Sequence, residues 1–265
     1  MTLPFQTCWE RLARAELHRQ SLIGLWNSFE TDKAYTSRPE VYNDGTGKFF
    51  IKPTNPDWTL PFSLEFGEML YQLRSALDSC IYDAAILEFR SDPPPDAGKW
   101  QFIATIDPKD FKEAMRRMKN APQDIMTIMK SMQGYAGVTC RADGKEFDLG
   151  KTLVILNDWA RIDRHRRLHI AGSAITSGGL RIGSPSGVEY LNFLDTHLLE
   201  TESEVARFKI RNFVPGMKIS FQADFAFEVM IDESPRLRLQ EIALAMNWAV
   251  CAVREQFEAH FGITR

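Results

Sequence analysis

The sequence predicts an α+β fold, with a bundle of N- and C-terminal helices packed on an antiparallel β-sheet formed mainly by residues 168–231. Three observations predict it. Helical periodicity dominates residues 6–165 and returns after residue 234. Between these, strand and turn signals follow one another from 168 to 231, and no β-α-β rhythm occurs anywhere. Within 217–231 every odd position is apolar, while the even ones include Lys218, Ser220, Gln222, Asp224 and Glu228. Such alternation predicts a long antiparallel strand with one covered and one wet face.

Taken in order, residues 6–30 read as a helix. Leu12, Ala15, Leu17, Leu22, Leu25 and Trp26 form its stripe, and Arg11, Arg14, Glu16 and Arg19 lie outside it. Residues 35–52 read as a hairpin about Asn43-Asp44-Gly45-Thr46-Gly47, whose Asp-Gly suits a tight turn. The strongest helix runs over 61–89, with Leu64, Met69, Leu70, Leu73, Leu77, Ile81 and Ala84 recurring at threes and fours and Pro61 in the first turn. The proline-rich run 91–98 breaks the chain into a loop. A short strand is expected over Gln101–Thr105, then Met-rich helices over 108–119 and 122–133, each opened by a proline. Residues 149–165 form a further helix on Leu149, Leu153, Leu156, Trp159 and Ala160.

Strands follow at 169–176 and 179–182 across a Ser-Gly-Gly turn, then at 188–194, 205–211 and 217–231. The odd face of the last is expected to meet helices. Ser234-Pro235 opens a closing helix to about Phe261. No linker or repeat divides the chain, so 1–265 reads as one domain, with a helical part (1–165 and 234–265) and a sheet part (168–231).

Composition narrows the function classes. A chain of 265 residues with 44% hydrophobic and 25% charged content has an ordinary globular make-up and needs no metal or disulfide for its core. A net charge of −3 and a pI near 6.0 confine any polyanion site to a local patch. Cys8, Cys80, Cys140 and Cys251 are too scattered for structural zinc and read as reduced thiols of a cytoplasmic protein. The N-terminus does not read as a signal peptide, and no apolar run is long enough to span a membrane. Nucleotide-binding glycine loops, a serine-hydrolase elbow and a zinc-protease motif are absent. No cofactor and no metal are therefore expected.

Three charged constellations stand out. Arg74 and Asp78 are four apart on the 61–89 helix and can pair. Arg161-Ile-Asp-Arg-His-Arg-Arg-Leu-His-Ile170 reads first as cations complementing the dipole of a helix C-terminus; Asp163 beside His165 fits that less well, since an anion there is unfavourable unless it does something local, of which orienting the imidazole is one example. Arg207, Lys209 and Arg211 share one side of a strand and, with Arg181, read as a solvated basic face.

The helix Gly67-Glu-Met-Leu-Tyr-Gln-Leu-Arg-Ser-Ala-Leu-Asp-Ser-Cys-Ile-Tyr82 and the stretch Ile162-Asp-Arg-His-Arg166 resemble the "LRSALDH" and "IDKHR" motifs of a family of uncharacterised bacterial proteins. Order and separation match, but the resemblance implies no activity. More distantly, Arg74 and the position that follows the four intervening residues Ser-Ala-Leu-Asp resemble HEPN domains, helical bundles often found in RNA-cleaving proteins. That resemblance implies an RNA phosphate at the arginine. Its histidine position holds Ser79, which cannot do acid–base work near neutral pH. The leading expectation is thus a HEPN-like protein that binds RNA or another phosphate-bearing ligand and has lost catalysis, with Arg74, Asp78, Asp163, His165 and Arg166 converging between the 61–89 and 149–165 helices. Catalytic residues stay unassigned. A protein- or small-ligand-binding module with these charges as a structural network is the alternative, and a metal-independent endoribonuclease is the third. No membrane partner is expected, and a homodimer is left open.

Overall fold

A computed structural model gives an α+β fold and describes residues 3–31, 35–55, 57–118, 120–165, 170–194, 202–231 and 237–263. The chain divides into two compact units. One comprises residues 1–23, 64–168 and 240–265, and the other residues 24–63 and 169–239. The strand unit therefore takes in residues 35–53 as well as the later strands.

In the helical unit, α1 (Gln6–Thr31, through residue 23) and α6 (Leu239–His260) bring the chain ends together. Trp9 donates its indole N–H to Glu258 at 2.7 Å, and the Arg254 guanidinium lies 3.5 Å from the Trp9 ring centre. Arg254 and Glu258 are buried, so their 3.2 Å ion pair supplies the compensation that buried charge requires. Two further helices carry the site. These are α2 (Thr59–Phe89) and α5 (Leu149–His165), the latter with the limits its periodicity predicts. Phe66 of α2 meets Trp159 of α5 edge to face at 6.0 Å between ring centres.

Shorter helices α3 (Pro108–Met115) and α4 (Gln123–Ser131) stop earlier than their apolar patterns suggest, because the N–H groups after them bond three residues back and not four, tightening the chain out of the α-helix. A small hairpin, β3 (Thr139–Ala142) and β4 (Lys145–Asp148), precedes α5 and turns at Asp143-Gly144. Cys8 and Cys80 are buried free thiols, and burial pushes the Cys80 thiol up.

Gln101–Thr105 is not a strand. It runs extended beside α2 with no ladder partner, so its backbone groups must be satisfied otherwise. Side chains do this. Asp78 accepts from the Phe102 N–H at 2.9 Å and Arg74 donates to the Phe102 carbonyl at 2.9 Å. The buried Gln133 side chain accepts from Thr105 N–H at 2.9 Å and donates to the Ile103 carbonyl at 2.7 Å. Gly134 N–H completes the set on the Thr105 carbonyl at 2.9 Å.

In the strand unit, β1 (Tyr35–Val41) and β2 (Thr46–Pro53) form the expected hairpin. Their sheet has the order β1-β2-β7-β6, with β6 spanning Val188–Phe193 and β7 Ser203–Ile210. A second sheet runs β5 (Ile170–Gly183), β8 (Ser220–Ile231) and the two-residue β9 (Leu237–Arg238). The two segments expected either side of a Ser-Gly-Gly turn are one strand. At Gly178 the backbone takes φ +117°, and a Cβ would stand 2.0 Å from the Asp224 carbonyl oxygen, so the glycine lets β5 run on beside β8 just after the register shift between Ile175 and Ser177.

The odd face of β8 also needs correction. Phe221, Phe225 and Phe227 pack with Phe49, Ile51, Val205 and Phe208 of the other sheet, with Phe221 5.4 Å from Phe208 and 6.0 Å from Phe49 between ring centres. The apolar face of β8 is thus covered by strands, where helices were expected. Alternation says that a face is covered, not by what.

Candidate functional site

α2 and α5 approach each other closely at Gly67. A Cβ there would lie 2.8 Å from one Asp163 carboxylate oxygen and 3.0 Å from the other, so the missing side chain of α2 is the seat of the Asp163 carboxylate. The two motifs singled out in the sequence therefore meet. Further along α2, Arg74 and Asp78 form an ion pair at 3.0 Å, their side chains 12% and 39% exposed. Together with the bonds to Phe102, this makes them a clamp on the 101–105 segment.

Burial pulls the Arg74 guanidinium below the ordinary arginine value, against the attraction of Asp78; the nearby Arg164 cation adds to the lowering. Burial likewise raises the Asp78 carboxyl, and Arg74, the Phe102 N–H and Arg164 partly offset it. Arg164 thus acts electrostatically on both members of the pair. The HEPN-like histidine position, Ser79, donates its hydroxyl to the Ser75 carbonyl at 2.8 Å, a bond within its own helix.

Beside this pair lies a cleft of about 300 Å³ between the two helices. Leu64, Gly67, Glu68 and Tyr71 line it from α2, and Ala160, Asp163 and Arg164 from α5. Leu64 and Tyr71 are 55% and 47% exposed, so this stripe of α2 turns its apolar side chains to the cleft and not to the core. Spacing alone places Leu64 on the same stripe as the buried Leu70, Leu73 and Leu77, whereas the structure exposes it. Among the described residues, Glu68 has no cation and Arg164 no carboxylate within ion-pair distance.

Of the residues predicted to form the site, Asp163 lines the cleft. Arg74 and Asp78 stand next to it and bind backbone. His165 is the last residue of α5 and its side chain lies outside the described residues, as does Arg166. Gly67, Glu68 and Tyr71 were inside the recognised helix motif but carried no assigned role; their spacing from Leu64 along one helical stripe was the available signal. In the strand unit, two of the four cations of the expected basic face, Arg207 and Lys209, are paired, and Arg181 and Arg211 make no ion pair among the described residues. Arg207 pairs with Glu204, as does Lys48 at 3.0 Å, and Lys209 with Glu189 at 3.4 Å.

Among the described residues, no group of three or more His, Cys, Asp or Glu side chains is arranged to hold a metal, and no helix is long and apolar enough to cross a membrane. No family model, curated protein or solved structure matches the chain.

Proposed function

We propose that this protein is a small-ligand-binding module whose site is the α2–α5 cleft, with Arg74 and Asp78 as a structural pair. One observation carries the reading. The polar ends of Arg74 and Asp78 are engaged with each other and with both backbone groups of Phe102, whereas Glu68 and Arg164, facing the neighbouring cleft, make no close ion pair among the described residues, Arg164 feeling Asp78 only at longer range. A concave site with apolar walls and a few convergent polar groups is the usual form of a small-molecule site, and 300 Å³ is at the lower end of its roughly 300–1,000 Å³ range.

RNA binding at Arg74 is the poorer fit. A phosphate there would compete with the Phe102 carbonyl for the guanidinium, and one entering the cleft would meet Glu68. Cleavage would further need a proton carrier where Ser79 stands.

Backbone-resolved NMR titration with small polar compounds, alongside a low-salt retention assay with short single-stranded RNA, tests the proposal. Compounds that bind are expected to shift Gly67, Glu68, Tyr71 and Ala160, with no RNA retained. RNA retention that weakens with salt and with Arg166→Ala would replace this reading with the nucleic-acid one, because phosphate contacts release counterions.

A further inference from the structure

We propose that the cleft takes a zwitterion, a short apolar molecule bearing a primary ammonium at one end and a carboxylate at the other, with the ammonium at Glu68 and the carboxylate at Arg164. The inference rests on the cleft being a small-ligand site and names the class of ligand it takes.

Charge balance selects the ligand. The lining carries two carboxylates, Glu68 and Asp163, and one guanidinium, Arg164. An inorganic phosphate would gain Arg164 but stand against Glu68. A simple amine would gain Glu68 but face an uncompensated Arg164. A neutral apolar molecule would cover Glu68 and Arg164 and leave each desolvated without a partner, which is costly. A zwitterion compensates both.

The walls fit the rest of such a molecule. Leu64 and the Tyr71 ring offer exposed apolar surface on α2, and Ala160 offers the same on α5. Gly67 and Ala160 keep the floor shallow.

The test is NMR titration of the full chain with L-leucine, 4-aminobutyrate and 6-aminohexanoate, which place the two charges at increasing separations, each beside its methyl ester and its N-acetyl form. At least one amino acid is expected to shift Gly67, Glu68, Tyr71 and Ala160 and to bind about twofold to fivefold tighter than either blocked form, the size of one exposed ion pair. Glu68→Gln should abolish the preference over the N-acetyl form and leave the preference over the ester. Arg164→Gln should do the reverse. Both positions are exposed, so neither variant is at risk of unfolding. A blocked form or phosphate that binds in the cleft as tightly as every amino acid overturns the zwitterion but leaves the cleft a ligand site. If no probe shifts the cleft residues up to ~10 mM, an affinity of under 3 kcal/mol, both fall.

Discussion

Glu68 and Arg74 stand less than two turns apart on α2, both charged, both beside α5, and they do opposite things. Arg74 is nearly buried and holds backbone; Glu68 is exposed and holds nothing among the described residues. The recognisable motif, Arg74 with Asp78, solves a folding problem, because residues 101–105 lie against α2 with no neighbouring strand to satisfy them. The unremarkable position, Glu68, faces the cavity. In this helix pair, a charge already committed to backbone is a poor ligand for anything else, and the charge left uncompensated beside a cavity is the better candidate.

The comparison breaks most visibly if the clamp is removed. Asp78→Ala leaves the Phe102 N–H without its acceptor and Arg74 without its counter-charge, and should cost on the order of 2–4 kcal/mol in chemical denaturation. Asp78→Asn keeps an acceptor and should recover part of that loss. A surface-like cost below about 0.5 kcal/mol for Asp78→Ala would mean that the pair is free for a ligand after all.

Gly67→Ala should have a middling effect. The new methyl meets the end of a short side chain, so Asp163 swings aside, and the gain in helix propensity of about 1 kcal/mol offsets most of the strain. Stability should therefore change by no more than about 1 kcal/mol, while the displaced Asp163 reshapes the cleft floor and weakens whatever binds there. Binding untouched by this change would place the ligand elsewhere. The smallest stability effects belong to Glu68→Gln and Arg164→Gln, within about 0.5 kcal/mol of the parent. A large loss at either would make it a structural residue like Arg74 and remove the contrast.

Sequence reading served best where one element buries its own stripe. The α5 limits follow from Leu149, Leu153, Leu156, Trp159 and Ala160 alone, and the first hairpin from Asp44-Gly45. It failed where the partner decides. Gln101–Thr105 has strand-like composition, but its hydrogen bonds go to Asp78, Arg74 and Gln133, which lie distant in sequence. The alternation of 217–231 shows a covered face without naming the second sheet that covers it. The Asp143-Gly144 hairpin carried a turn signal that its four-residue strands were too short to reinforce.

The site was legible in part for the same reason. Asp163 stood out because an acid near a helix C-terminus is unexpected, and its carboxylate is seated over Gly67 of α2, which no pattern within α5 could indicate. Leu64 was misassigned because three- and four-residue spacing cannot tell a stripe facing the core from one facing a cleft. His165 and Arg166 fall where the described side chains end.

Amide hydrogen exchange at Phe102 is the most direct test of the central claim, since this N–H belongs to no helix or ladder and its bonded acceptor is Asp78. The account predicts a protected Phe102 amide in the parent protein, fast exchange in Asp78→Ala, and unchanged protection in Glu68→Gln. Fast exchange at Phe102 in the parent, or protection that survives Asp78→Ala, would contradict the assignment of Arg74 and Asp78 to the backbone clamp.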